Sequence, residues 1–165
     1  RPMVALCPRS HLATKDWPVD RWAGVARALR AKAQIVVVGG GKDAEAAAAI
    51  ARDARGSFNL AGRTSLPELI EIFRRCRCVA GADTGPVHLA NATGIPRVVM
   101  VFGATSFRRS GPWSSDPSRC RDLVAISRSL DCQPCFDRIC RFGHVNCLND
   151  ISEKEVLEKI LERIA

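Results

Sequence analysis

The stretch Cys78-Val79-Ala80-Gly81-Ala82-Asp83-Thr84-Gly85-Pro86-Val87-His88-Leu89-Ala90-Asn91-Ala92 changes from an apolar run to a helical pattern. The run 78–82 predicts a short buried strand, and Pro86 predicts the first turn of the following helix, where its missing N–H costs nothing. The start of such a helix directs unpaired backbone N–H groups and the positive end of the helix dipole at one point. This junction therefore predicts a binding site for a phosphorylated ligand.

The side chains at this junction suit an anion. Gly85 lacks a side chain that would hold a phosphate away, Thr84 offers a hydroxyl, and His88 lies on the first helical turn. Asp83 has two interpretations, because it can cap the helix or accept hydrogen bonds from sugar hydroxyls at the end of the strand. We favour the second, since Thr84 can also act as the cap.

Apolar runs and helical patterns alternate along the chain. The runs that predict strands are 3–7, 35–38, 58–60, 78–82, 97–102 and 123–126. Helical patterns lie at about 20–33, 43–54, 66–75, 86–93 and 152–164. Strands that are apolar throughout and separated by helices imply a parallel sheet covered on both faces. We therefore expect an α/β fold with a doubly wound, mostly parallel, Rossmann-like sheet.

In such a sheet ligands bind beyond the carboxyl ends of the strands, an edge that here collects 8–15, 39–43, 62–65, 83–88 and 103–111. Lys15 becomes a candidate ligand contact through its place on this edge. Gly39-Gly40-Gly41 before Asp43 fits a nucleotide loop and equally an ordinary turn, because it lacks the spacing of a dinucleotide fingerprint or a P-loop. Ser65–Glu68 is a capping box, which leaves Thr64 as the ligand contact of its loop.

Composition limits the classes of protein to which the chain can belong. Its 165 residues make one domain of ordinary size, and its net charge of +8 favours anionic partners such as nucleotides, phospholipid surfaces or nucleic acid. The basic residues are scattered and lack the pattern of a nucleic-acid module. No apolar run has the length of a membrane span and no secretory signal is present, so we expect a reduced, cytoplasmic protein. The start at Arg1 beside a strand indicates a piece of a longer protein.

The segment at about 128–149 is irregular and Cys-rich, and we interpret it as an insertion before the last helix. Its cysteines follow the spacing C-x2-C-x4-C-x6-C, with His144 nearby: Cys132, Cys135, Cys140 and Cys147. Four soft ligands of this kind can hold a structural zinc ion, whereas the spacing does not fit an iron–sulfur ferredoxin. The alternative is a set of free or oxidised thiols that holds the loop together. The other cysteines are predicted to be ordinary buried or half-buried thiols: Cys7, Cys76, Cys78 and Cys120.

These motifs, taken in order, resemble a known family. The blocks that carry the resemblance are 14–18, 22–23, 38–40 with Asp43, 60–66, 82–90, 94–96, 101–105, 111–112, 132–135, 138, 140–144 and 147–148. They resemble the carboxyl-terminal half of ADP-heptose:lipopolysaccharide heptosyltransferases, glycosyltransferase family nine, and the Cys-rich blocks are most like heptosyltransferase II. The Asp-Thr-Gly-Pro block is the most specific. The chain departs from the family at Ser106-Phe107, where Asp-Pro is common.

The resemblance implies one half of a GT-B glycosyltransferase. Residues 1–165 would be the domain that binds the donor ADP-L-glycero-β-D-manno-heptose, and the amino-terminal acceptor domain with its Asp general base would be absent, leaving this chain inactive alone. The implied reaction is inverting transfer of heptose to the lipopolysaccharide inner core, with no cofactor required for catalysis. The implied partners are ADP-heptose, a lipid A–core acceptor reached through the other domain, and the cytoplasmic face of the inner membrane, with no nucleic acid.

The resemblance also assigns roles to individual residues. Around the pyrophosphate it places Thr84, Gly85, Pro86 and His88, with Ser10 as a further phosphate contact. Lys15 would stabilise the leaving group, and Asp83 and the backbone near Thr64 would face the heptose. Asp43, with Glu45 as the second choice, would lie towards the adenosine ribose. Two alternatives stay open, a GT-B transferase that uses another nucleotide sugar and a non-catalytic nucleotide-sugar binding module. The first stays open because contacts with the phosphates do not distinguish one nucleobase from another.

Overall fold

The computed structural model describes residues 1–94, 97–111 and 123–165, and in this part of the chain a sheet carries helices on both faces. Its strands are β1 Met3–Cys7, β2 Gln34–Val37, β3 Phe58–Asn59, β4 Cys76–Ala82, β5 Val98–Val101 and β6 Leu123–Ile126. Its helices are α1 Val19–Leu29, α2 Ala44–Asp53, α3 Leu66–Arg75, α4 Gly85–Ala92, α5 Phe107–Ser110, α6 Asn146–Asn149 and α7 Glu153–Ile164. Short 3-10 turns lie at Ala13–Lys15 and Gly41–Asp43.

The described strands lie in the order β3-β2-β1-β4-β5-β6, and every pair is parallel. This order confirms the predicted doubly wound sheet. From β1 the chain builds towards β2 and β3, and from β4 it builds towards β5 and β6. The direction of winding therefore reverses between β1 and β4, where Cys7 pairs with Gly81. Open α/β sheets bind their ligands beyond the carboxyl ends of the strands at this point.

Alternate residues of β1 enter two separate cores, one on each face of the sheet. Val4 and Leu6 belong to the larger core, which also holds buried side chains of α1, α2 and α7. Ala5 and Cys7 belong to the smaller core, which includes Phe73 of α3 and Val87 of α4. Full burial of a side chain such as Phe73 contributes about 1.5–3 kcal/mol, so both layers fix the sheet from which the site loops emerge.

The sequence patterns locate the elements to within a few residues. The bounds of β1, β6 and α3 match the predictions, and the others shift at their ends. Strand β4 begins two residues earlier than the apolar run because Arg77, which interrupted that run, lies on an exposed position at the start of the strand. Helices α5 and α6 were not predicted, since each has only four residues.

The buried cysteines behave as ordinary thiols. Cys7, Cys76 and Cys78 are free and buried, as predicted, and burial raises the pKa of Cys76 and of Cys78 to about 12. Cys120 and the motif residues Ile95, Pro96 and Pro112 lie outside the described residues. Among the described helices, none combines the length and the apolarity that a membrane span requires.

Gly81 of β4 has no room for a side chain. A Cβ atom there would lie 2.5 Å from the carbonyl oxygen of Cys7 and 2.7 Å from Cγ2 of Val87. We predict that Gly81→Ala lowers the free energy of unfolding in urea by about 1–3 kcal/mol, because the strand must shift from β1 or from α4. Gly85→Ala is the control, since its Cβ would meet no described atom within 4 Å beyond its chain neighbours and the nearby backbone of its own helix. Equal losses in the two variants would contradict this account.

Candidate functional site

Three loops at the carboxyl edge of the sheet enclose a cavity of about 390 Å³. The loops follow β1, β2 and β4, and their lining residues are Cys7, Arg9, Ser10, His11, Val38, Gly39, Gly40, Gly41, Lys42, Asp43, Thr84 and Pro86. The glycines let a ligand approach the backbone closely, and the Arg9 and Lys42 side chains supply positive charge. The cavity thus lies at the carboxyl edge, where we expected ligands to bind, and at the point where the winding of the sheet reverses.

Helix α4 opens beside this cavity. Its first residues are held by hydrogen bonds from the N–H groups of Val87 and His88 to the carbonyl oxygen of Thr84, at 3.1 and 3.3 Å. The Thr84 side chain makes no capping hydrogen bond with a described N–H. Gly85 faces open space. The start of the helix is therefore not blocked by side chains. Because Pro86 has no N–H and those of Val87 and His88 are bonded, the N–H of Gly85 is the backbone donor of this first turn that the described contacts leave to an anion.

The buried side chain of Asp83 ties together three neighbouring elements. Its Oδ1 lies 2.9 Å from Nε2 of His88, and its Oδ2 lies 2.7 Å from the Thr105 hydroxyl and 3.1 Å from Nζ of Lys15. Because an ionised carboxylate can only accept, all three neighbours are donors. Burial alone would raise the pKa of Asp83, but the hydrogen bonds from His88 and Thr105 and the charge of Lys15 outweigh burial and lower it.

This geometry shows what the Asp83 carboxylate already contacts, and a contact of Asp83 with a sugar stays a prediction. We expected its carboxylate to face the hydroxyls of a sugar, yet only 3% of its side chain is exposed and both oxygens already accept hydrogen bonds. The groups that remain accessible are its partners: 18% of the Lys15 side chain and 36% of the His88 side chain are exposed. Asp83 therefore holds these two side chains in place beside the start of α4.

Two other residues predicted to contact the ligand, Ser10 and Asp43, line the cavity and also form hydrogen bonds within their own loops. The Ser10 hydroxyl donates to the carbonyl oxygen of Leu12 and accepts from its N–H, both at 3.0 Å, and the Ser10 N–H donates to Asp16 Oδ1 at 2.6 Å. Asp43 Oδ2 accepts from the N–H of Gly40 at 2.7 Å. Contacts of Ser10 with a phosphate and of Asp43 with a ribose stay predictions.

Thr64 is not one of the residues that line the cavity in the described part of the chain. The turn before it packs on the glycine loop through a hydrogen bond of 2.9 Å from the N–H of Gly62 to the carbonyl oxygen of Gly39. Gly62 has a φ of +71°, and a Cβ there would lie 2.7 Å from Cα of Gly41, so only glycine fits. The predicted contact of Thr64 with a ligand remains untested.

The cysteines of the insertion come together without forming a metal site. One small cavity is lined by Cys132, Cys135, Cys140 and Cys147 together with Thr14 and Ala104. Nevertheless, among the described residues no group of three or more His, Cys, Asp or Glu side chains is arranged to hold a metal ion. The Cys140 sulfur accepts hydrogen bonds from the N–H groups of Val145 and Phe142, which lower the pKa of this thiol. The predicted structural zinc is therefore not supported, and all four cysteines are free thiols.

Sequence reasoning missed Thr105 and the positively charged side chains Arg9 and Lys42 of the cavity. Thr105 lies within the block 101–105 that carried the family resemblance, but no local pattern distinguished it. The available signal was its position just beyond β5, on the same edge of the sheet as Asp83. Arg9 is partly engaged, since its guanidinium pairs with Asp16 at 3.2 Å.

A doubly wound parallel sheet with an open helix start at the reversal of its winding defines a Rossmann-type domain, a class in which ligand sites lie at the carboxyl edge of the sheet. The family can be stated more narrowly. A model of glycosyltransferase family 9 (heptosyltransferase) matches residues 1–146, so the chain belongs to this family, as the sequence motifs predicted.

Individual relatives agree with this family. The chain is 27% identical over 153 residues to lipooligosaccharide heptosyltransferase 2 of Campylobacter jejuni subsp. jejuni serotype O:6, covering 90% of this chain and 46% of that protein. It superposes on the E. coli ADP-heptose lps heptosyltransferase II with a TM-score of 0.80 at 27% identity, covering 99% of this chain and 46% of that one. E. coli heptosyltransferase WaaC with ADP shares the fold, with a TM-score of 0.76 at 19% identity over 99% of this chain and 44% of that one. The chain thus spans less than half the length of these proteins.

The buried Asp83 carboxylate predicts a specific dependence of stability on pH. Because its pKa is lowered below the ordinary value of 3.8, ionised Asp83 stabilises the fold above that pH, and this contribution is lost as the pH falls through the lowered pKa. Urea unfolding between about pH 5 and pH 2 should therefore show a steeper loss of stability in the wild type than in Asp83→Asn. At pH 7 the variant should be less stable by about 1.5–3 kcal/mol.

The matched control for this prediction is Asp53→Asn. Asp53 also pairs with a basic side chain, Arg27 at 3.1 Å, but 43% of its side chain is exposed. Exposed pairs contribute about 0–1 kcal/mol, so this variant should keep the pH dependence of the wild type. If Asp83→Asn and Asp53→Asn gave the same pH profile, Asp83 would not be the ionised anchor of the site.

Proposed function

We propose that this chain binds the donor of an inverting heptosyltransferase, ADP-L-glycero-β-D-manno-heptose, and that a second domain binds the lipopolysaccharide inner-core acceptor. Membership of glycosyltransferase family 9 supports this assignment, as do the lipooligosaccharide heptosyltransferase 2 relative and the fold neighbour solved with ADP. The observation that carries it is the position of Lys15 and His88, both held by Asp83 beside the open start of α4.

The diphosphate would lie at the start of α4. There the N–H of Gly85 and the helix dipole favour negative charge, and the lack of a side chain on Gly85 allows close approach. The cavity continues from Thr84 to the loop Gly39–Gly41, so the nucleoside would lie there, next to the phosphates. Lys15 has three N–H donors, so it can bond a phosphate oxygen while it keeps its contact with Asp83.

The proposed reaction is a single displacement at the anomeric carbon. An acceptor hydroxyl oxygen forms the new bond to this carbon, while the bond from the carbon to the β-phosphate oxygen breaks. The electron pair of that bond leaves with ADP, and the hydroxyl proton passes to a general base that we assign to the second domain. Lys15, His88 and the N–H of Gly85 would stabilise the charge that grows on the departing phosphate. Fixed donors of this kind are commonly the largest single contribution to catalysis.

Calorimetric titration of the chain with ADP, UDP and GDP tests the donor site. We expect one ADP per chain and weaker binding of UDP and GDP. Gly85→Val should lower the affinity for ADP by about tenfold or more, because it fills the open space beside the N–H of residue 85; a tenfold loss corresponds to about 1.4 kcal/mol. Lys32→Ala is the control, since it removes an exposed positive charge near the opposite edge of the sheet. Preference for UDP or GDP would instead indicate a transferase that uses another nucleotide sugar.

Lys15→Ala in the complete enzyme tests the catalytic role. We expect kcat to fall by about 100-fold, the loss typical of removing one donor to a developing negative charge, with a smaller change in KM for ADP-heptose. Transfer is measured as release of ADP in the presence of the acceptor, with Lys32→Ala as the charge-matched control. An unchanged kcat in folded Lys15→Ala would remove this lysine from the mechanism. Binding of ADP-heptose without any transfer by the complete wild-type protein would indicate a non-catalytic binding module.

A further inference from the structure

The Cys-rich insertion makes three hydrogen bonds with two turns of the site. The side-chain amide of Gln133 donates to the carbonyl oxygen of Gly103 at 2.6 Å, and the N–H of Phe136 donates to the carbonyl oxygen of Ala104 at 2.9 Å. From the other turn, the hydroxyl of Thr14 donates to the carbonyl oxygen of Asp137 at 2.6 Å. Residues 133–137 therefore hold the turn after β1 and the turn after β5 at the same time.

These two turns also contact each other closely. The N–H of Ala104 donates to the carbonyl oxygen of Thr14 at 3.0 Å, and only 2% of Thr14 is exposed. A Cβ atom on Gly103 would collide with this same Thr14 oxygen and would lie 2.9 Å from Cγ of Leu148. The turns consequently have little freedom to move apart or slide past each other.

The residue that follows in each turn binds Asp83. Lys15 follows Thr14 and places its Nζ 3.1 Å from Asp83 Oδ2, while Thr105 follows Ala104 and donates to the same oxygen at 2.7 Å. Whatever fixes the two turns therefore fixes the two donors of this oxygen. The insertion contacts both turns through Gln133, Phe136 and Asp137, none of which is bonded to the Asp83 carboxylate in the described part of the chain.

We propose that Gln133 and Thr14 are positioning residues of the transfer reaction, through which the Cys-rich insertion sets the place of Lys15 at the donor phosphate. This inference rests on the proposed function. Its physical basis is that catalytic groups act only within a narrow range of positions, and a misplacement of 1 Å can cost about 100-fold in rate. Neither residue touches the donor in this account, so their loss should affect turnover more than binding.

The test compares variants of the complete enzyme, with kcat and KM for ADP-heptose as readouts. Thr14→Val keeps the shape of the side chain and removes the hydroxyl donor, whereas Thr14→Ser keeps the donor. We expect Thr14→Val to lower kcat by about 10- to 100-fold with KM changed less than threefold, and Thr14→Ser to stay within about threefold of the wild type. Gln133→Ala changes a different segment of the chain and should lower kcat by a similar factor. It therefore tests the proposal even if Thr14→Val does not fold.

Ile139→Ala is the control within the same insertion, because 83% of Ile139 is exposed; it should leave kcat unchanged. The proposal is overturned if Thr14→Val and Gln133→Ala keep the wild-type kcat, if their loss lies in KM alone, or if Thr14→Ser fails to restore turnover. Failure of the proposed function gives a different result, since the wild-type enzyme would then not transfer heptose at all.

Discussion

The ionised carboxylate of Asp83 is the interaction on which the site depends. A buried charge is expensive unless each of its oxygens meets donors, and losing one partner leaves the cost uncompensated. Asp83 meets this requirement with Lys15, His88 and Thr105, which come from the turn after β1, from α4 and from the turn after β5. Because the buried carboxylate is stable only when all three donors contact it, it fixes the relative positions of three segments that are distant in sequence.

The order of the strands makes this group possible. Since β4 lies between β1 and β5 and runs parallel to both, the three strands end at the same edge within reach of one side chain. Gly81 lets β4 lie close to Cys7 and to Val87, which brings the start of α4 over the end of β1. Packing within the sheet thus decides that a helix N-terminus and a lysine share one point, and the polar contacts then hold that arrangement.

The sequence predicted the parts of the structure that depend on local patterns. Buried strands and capped helices are determined by the pattern of neighbouring residues, so both ends of β1, β6 and α3 were predicted correctly. The rule that parallel strands share a carboxyl edge also predicted that Lys15, Asp83 and His88 lie at one edge of the sheet. The direction of the Asp83 carboxylate was not predictable in this way, because it depends on Thr105 and Lys15 in other loops. The zinc prediction failed for a related reason, since C-x2-C spacing brings cysteines together but does not decide where each sulfur points.

The negative side chain of Asp83 lies beside the lysine that we propose to contact the donor phosphate, and this placement needs a physical explanation. Asp83 neutralises part of the Lys15 charge and holds its ammonium group in one place, and its lowered pKa keeps it ionised at neutral pH. On the proposed function, this contact weakens the attraction of Lys15 for the bound donor relative to a free lysine. The attraction then grows as the leaving phosphate gains charge, and interactions that strengthen towards the transition state raise kcat rather than affinity. Holding a lysine with a carboxylate thus favours catalysis at the expense of ground-state binding.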